Sequence, residues 1–158
     1  MRVVRGLVAI SLLFLVAGQA QAKCGDNPGD DQAVADARDQ VNTDCVCASF
    51  TNHGQYVKCA KGVAIARADA MTLPKNCKGA VIKCAAKSTC GKPGFVTCCK
   101  TSASGKTTCS TKSDASKCKA PGSGSACVST FSSCCDACTS TGCASPSGAF
   151  LDGSAAGF

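Results

Sequence analysis

Phe95-Val-Thr-Cys-Cys-Lys-Thr-Ser-Ala-Ser-Gly-Lys-Thr-Thr-Cys-Ser-Thr111 is where the chain changes character. Valine and threonine flank cysteines on both sides of Ser104-Gly105, and β-branched residues around a Ser-Gly turn predict a β-hairpin. Facing strands would bring Cys98 or Cys99 near Cys109, with the register open by one residue. Neighbouring Cα atoms lie ~3.8 Å apart across a trans peptide, whereas a relaxed disulfide wants ~4.4–6.8 Å. Cys98 and Cys99 are therefore expected to reach two different partners and to stitch three segments at one point.

Toward the N-terminus the pattern is helical. Asp30 and Asp31 open a segment running to about Asp44, with Val34, Ala37, Val41 and Cys45 on one face. The two aspartates suit capping and the positive end of the helix dipole. Asn52-His-Gly-Gln55 resembles a capping box that opens a second helix, with Tyr56, Cys59, Ala60, Val63 and Ala70 sharing a face. Leu73-Pro74 ends it. A third helix is expected from about Lys75 to Lys87, with Cys77, Val81 and Cys84 on one side. The cysteines fall on the apolar faces, where packed neighbours can be bridged, so residues 24–88 read as a small cross-linked bundle of three helices.

Toward the C-terminus the hairpin belongs to a degenerate echo. Ser88-Thr-Cys90, Phe95-Val-Thr-Cys98-Cys99 and Cys118-Lys-Ala-Pro121 recur in order as Ser125-Ala-Cys127, Phe131-Ser-Ser-Cys134-Cys135 and Cys143-Ala-Ser-Pro146. The expected fold class is α+β, small and disulfide-rich. The expected division is an export signal (1–22), a helical disulfide-linked region (23–88), a cysteine-rich repeat region (89–146, with units 90–121 and 127–146) and a loose tail (147–158).

The compartment decides how the cysteines are read. Arg2 and Arg5 precede the apolar run from Gly6 to Ala17, and Ala20-Gln21-Ala22 places small residues where a signal peptidase reads them. The run falls short of the ~20 residues needed to cross a bilayer. Lys23 before Cys24 does not fit a lipoprotein signal. A mature chain starting at Lys23 and secreted to the periplasm or the extracellular space is expected, and both compartments keep disulfides oxidised. All sixteen cysteines, Cys24, Cys45, Cys47, Cys59, Cys77, Cys84, Cys90, Cys98, Cys99, Cys109, Cys118, Cys127, Cys134, Cys135, Cys138 and Cys143, lie in that mature part. An even count at this density predicts a disulfide scaffold. With no Trp and one Tyr, the staples substitute for core. Cys45-Val-Cys47 and Cys135-Asp-Ala-Cys138 have spacings that thiolate metal sites use, but oxidation would remove those ligands. No metal and no cofactor is expected.

Charge is unevenly placed. Residues 23–44 carry Lys23 and Arg38 against six aspartates, whereas residues 45–112 carry eleven Lys or Arg against Asp69 alone. Lys58, Lys61, Lys75, Lys78, Lys83, Lys87 and Lys92 are candidate contacts for an anionic polysaccharide or membrane surface. No aromatic residues interleave them, and no specific nucleic-acid signal is present. Acid–base chemistry draws mostly on His, Glu, Asp or a tuned Lys. This chain has no Glu and a single His53, set at a predicted helix start where capping or packing explains it. No nucleophile turn, phosphate loop or dinucleotide fingerprint occurs, so a non-enzyme is expected.

Phe50-Thr-Asn-His-Gly-Gln-Tyr-Val-Lys-Cys59 and Ser88-Thr-Cys-Gly-Lys-Pro-Gly-Phe-Val-Thr-Cys-Cys99 resemble recurring segments of uncharacterised secreted cysteine-rich bacterial proteins. That resemblance implies secretion and brings no activity. The spacing C-x7-CC-x18-C-x8-C-x6-CC-x7-C from Cys90 to Cys143 is similar to that of fungal hydrophobins. Cys109 and Cys138 are extra to that pattern, however, and the loops are polar, so the match is read as coincidence. The expected function is a secreted, non-catalytic, disulfide-stabilised structural or interaction protein. The alternatives are a thiol-based metal-binding or redox protein, and an extracellular inhibitor or toxin.

Overall fold

The computed structural model describes residues 22–145. The expected export signal, save Ala22, and the expected tail 147–158 lie outside them.

Helix α1 spans Asp30–Asp44 and buries Ala37 and Val41, with Cys45 closing the same stripe. Its N-cap is Gly29, in the left-handed conformation, with no side-chain cap. Asp30 does not cap the helix as expected. Its buried carboxylate accepts from the backbone N–H of Gly25 at 3.0 Å and of Asn27 at 3.4 Å, folding the preceding loop back onto the helix. Helix α2 spans His53–Asp69, and Asn52 caps it by accepting from the Gln55 N–H at 3.2 Å, as the box predicts. Its buried line is Tyr56, Ala60, Ala64 and Ala68, an i, i+4 row rotated from the expected face. Ala70 is exposed, and Cys59 and Val63 are half-buried at the margin. Alanines on that row let the neighbouring helices approach closely, which an apolar-size argument undervalues. After Leu73-Pro74, a single 3-10 turn at Lys75–Cys77 leads into helix α3, Lys78–Ala86.

These three helices share one apolar core, in which Ala37, Val41, Cys45, Tyr56, Ala60, Ala64, Leu73, Cys77, Val81 and Ala85 are buried. The Phe50 and Tyr56 rings meet edge to face at 5.5 Å, a favoured aromatic geometry.

Strand β1 (Val96–Thr101) and strand β2 (Thr107–Lys112) form the expected antiparallel hairpin. The register pairs Cys99 with Cys109, resolving the one-residue ambiguity, although those two cysteines are not bonded to each other. The chain then adds strand β3 (Ser125–Ser129) on the other edge of β1, giving the order β2-β1-β3. A one-turn helix α4 (Cys134–Ala137) leads into a miniature hairpin of β4 (Cys138–Thr139) and β5 (Gly142–Cys143). The molecule is thus a mixed, disulfide-rich α+β fold. The two F-x-x-C-C segments take different conformations: Cys98 and Cys99 lie on a central strand, while Cys134 and Cys135 begin a helix.

The halves meet at a narrow seam. Thr89 N–H donates to Ser132 O at 2.8 Å and Cys134 N–H to Lys87 O at 3.1 Å. The Ser133 hydroxyl donates to Cys84 O at 3.2 Å, and Arg38 on α1 pairs with Asp136 on α4.

Candidate functional site

All sixteen cysteines are bonded, in eight disulfides. Cys24–Cys77 pins the N-terminal loop to the entry of α3, and Cys45–Cys59 joins the end of α1 to α2. Cys47–Cys90 ties the loop between α1 and α2 to the segment that leaves α3, and Cys84–Cys135 crosses the seam. In the sheet half, Cys98–Cys118, Cys99–Cys138, Cys109–Cys134 and Cys127–Cys143 complete the set. Both adjacent cysteine pairs reach two different partners, as the Cα spacing requires. Cys84 leaves the bundle rather than bridging within it, because it sits at the margin of the buried face of α3 next to the seam.

Cys109, Cys99 and Cys127 are register neighbours across β2, β1 and β3, so the period of two puts their side chains on one face. Their partners Cys134, Cys138 and Cys143 all come from the segment that covers that face. The other face of β1 carries Cys98. Thr97, Cys98 and Cys99 are all buried, so sulfur fills the space that aliphatic side chains occupy in the helical half.

The seven candidate lysines divide into two kinds. Lys58 and Lys61 are exposed on the side of α2 away from its alanine row, and Lys75, Lys83 and Lys87 are exposed along α3 and its leading turn. Lys78 is half-buried. Among the described residues, the ion pairs are Arg38–Asp136 and Lys117–Asp114, so none of the seven is neutralised by a carboxylate. Five aspartates lie on α1, where the Gln32 and Gln40 amides donate to Asp36 and Asp44 at 2.7 and 2.8 Å; Asp69 ends α2. Lys92 is the exception. Its ammonium donates to Ser88 O at 3.1 Å and lies 6.0 Å from the Phe95 ring centroid, and burial pulls it below the usual lysine range. It closes a local turn rather than offering a free charge.

His53 is held by backbone. Nδ1 lies 2.8 Å from Cys90 O and Nε2 3.2 Å from Ala86 O, so both ring nitrogens face carbonyls at the junction of α2 with the end of α3. Gly91, beside it, has φ +71°, and a Cβ there would come within 2.5 Å of the Asn52 carbonyl carbon and 2.6 Å of the His53 nitrogen. Only glycine admits this approach. Both features depend on contacts across some forty residues of chain, which no local motif announces.

A cavity of about 20 Å³ lies between α1, α2, α3 and α4, lined by Arg38, Asn42, Tyr56, Ser133 and Asp136 among others. That is room for one water molecule and for no substrate. Burial pushes the Tyr56 phenol above its ordinary range, so it stays neutral there. No helix among the described residues is long and apolar enough to cross a membrane. No protein-family model, curated protein or solved structure matches the chain.

Proposed function

We propose that this chain is a secreted, non-catalytic scaffold that holds a basic surface rigid against an anionic partner. The observation that carries the reading is unneutralised charge: five exposed lysines on α2, α3 and the turn between them lack a carboxylate partner among the described residues, while five aspartates sit together on α1. Opposite charges placed for internal stability would have been interleaved. Unneutralised charge on one side of a molecule raises the local concentration of counter-charged polymers.

Three further features support the reading. Eight disulfides suit an oxidising periplasmic or extracellular setting, in keeping with the Ala20-Gln21-Ala22 cleavage signal. The bridges engage every cysteine, which favours staples over thiolate metal ligands. The one histidine is spent on backbone carbonyls.

The test is retention on dextran sulfate and on phosphatidylglycerol vesicles across a salt series, with neutral dextran as control. Affinity should fall steadily as ionic strength rises and the screening length shrinks from ~30 Å at 0.01 M to ~8 Å at 0.15 M. Replacing Lys58, Lys61, Lys83 and Lys87 by Gln should weaken it at least tenfold at low salt. Absence of binding at low salt, or binding indifferent to salt, would overturn the proposal.

A further inference from the structure

Four cysteines occupy the corners of a square. Cys99 on β1 is bonded to Cys138 on β4, and Cys127 on β3 is bonded to Cys143 on β5, with Cα–Cα separations of 5.6 and 6.0 Å. The other two sides of the square are strand pairings. Cys99 is the register partner of Cys127, and Cys138 is the register partner of Cys143. Directly opposed residues of an antiparallel pair have Cα atoms ~4.5–5.5 Å apart, inside the ~4.4–6.8 Å window that a disulfide accepts. Three of the four sulfurs are already gathered, with the Sγ atoms of Cys99, Cys127 and Cys143 within 4.8 Å of one another, and the fourth, Cys138 Sγ, is bonded to Cys99 and gathered with it and Cys109. Two complete pairings of the same four sulfurs are therefore compatible with one backbone arrangement.

The two pairings differ in what they hold. In the pairing present, both bonds run from the three-stranded sheet to the β4–β5 hairpin and clamp one onto the other. In the exchanged pairing, Cys99–Cys127 closes within the sheet and Cys138–Cys143 closes within the hairpin, and neither bond joins the two. The hairpin then remains attached through the chain to Cys134 and Cys135 and through contacts such as the hydrogen bond from Thr107 Oγ1 to Ser140 O, 2.9 Å.

We propose that this square is a thiol-operated switch that releases the C-terminal hairpin without any net change in oxidation state. The incoming reactant is a thiolate, and the half-buried Cys127–Cys143 bond is the point of entry. The thiolate attacks Cys143 Sγ and forms a mixed disulfide; the Cys127–Cys143 bond breaks and its electron pair stays on Cys127 as thiolate. Cys127 attacks the adjacent Cys99 Sγ, forming Cys99–Cys127 and expelling Cys138 as thiolate. Cys138 attacks the mixed disulfide at Cys143, forming Cys138–Cys143 and returning the original thiolate. Two bonds are broken and two made, no oxidant is consumed, and each step is ordinary thiol–disulfide exchange. The switch rests on sulfur placement and is independent of the lysine surface.

The double variant Cys138→Ser/Cys143→Ser tests it. Oxidised and denatured, it should titrate with no free thiol and yield a peptide pair linked through Cys99 and Cys127. The companion Cys99→Ser/Cys127→Ser should likewise close Cys138–Cys143. Two free thiols per chain in either variant, or Cys99 found bonded to Cys109, would overturn the proposal. Should neither variant fold, the unaltered chain decides. It is held with about a tenth of an equivalent of 2-mercaptoethanol at mildly alkaline pH, quenched with acid and mapped with a protease that cuts between these cysteines. The switch requires Cys99–Cys127 and Cys138–Cys143 to appear together in equal amounts with no gain in total thiol. Persistence of the original bonds alone, or one new bond without the other, rejects it.

Discussion

The helical half and the sheet half solve the same problem with different materials. The helices bury an apolar set that includes Leu73, Val81, Val41, Tyr56 and a row of alanines, and their disulfides tie ends and loops onto it, with Cys45, Cys77 and Cys90 buried among those side chains. The sheet buries Thr97, Ser129, Ala137, Cys98 and Cys99 and has no comparable aliphatic cluster. In the first half disulfides reinforce a core; in the second they are the core. A small domain short of large hydrophobes must restrict its unfolded chain instead.

The contrast breaks or stands first on disulfide removal. Cys99→Ala/Cys138→Ala opens a cross-link with sequence separation 39, and Cys45→Ala/Cys59→Ala one with separation 14. Chain entropy alone assigns about 4 and about 3 kcal/mol to the two. The difference should be much larger in practice, because the helical half keeps its apolar core and the sheet has none to fall back on. Far-UV circular dichroism should show the second variant folded with full helix content. The first should lose protection of the β1, β2 and β3 amides in hydrogen exchange. Equal loss in both variants would mean that the sheet is held by something other than its sulfurs.

Truncating apolar side chains gives the reverse ranking. Leu73 is 1 % exposed in the helical core, and Leu73→Ala should cost about 3 kcal/mol through lost burial and the cavity left behind. Val128 is 43 % exposed on β3, and Val128→Ala should stay within about 0.5 kcal/mol. Urea midpoints of the two variants, at unchanged slope, measure both. A comparable cost at Val128 would reveal an apolar contribution in the sheet that its burial does not indicate.

The same division governs what could be read from the residues. The extent of α1 (though not its expected aspartate cap), the Asn52 cap and the β1–β2 hairpin follow from local chemistry. Strand β3 does not announce itself: Ser125-Ala-Cys-Val-Ser129 has one β-branched residue and becomes a strand because the free edge of β1 and the Cys127 bridge hold it. The buried face of α2 differs from the one apolar size predicts because close helix packing selects alanine over larger apolar neighbours. Disulfide partners were beyond reach, since pairing is a property of the assembled sheet. Among candidate contacts, the lysines are visible as residues. What sets Lys92 apart from the others, its bond to Ser88 O, exists only once the turn after α3 is formed.

The smallest expected effect lies in the sheet half, away from the sulfur face. Asp114 caps the 3-10 turn Ala115–Lys117, which follows β2. The Ser116 hydroxyl beside it, then Lys117, holds its carboxyl below the usual aspartate range. A carboxyl whose folded pKa is depressed adds stability that is fully present above its unfolded value of ~3.9 and fades as pH falls through that value toward the folded one. The side chain is about half exposed, at 46 %, so solvent screens it and the effect is small. Asp114→Asn should therefore melt slightly below the unaltered chain at pH 7, and the two should converge as pH is lowered below about 4. The amide oxygen of Asn can still accept from the Lys117 N–H, so the part of the difference that disappears with acid isolates the charge. A gap that persisted unchanged to low pH would assign the role of Asp114 to shape. This turn would then resemble the Asn52 cap of the helical half, where a neutral side-chain oxygen does the same work.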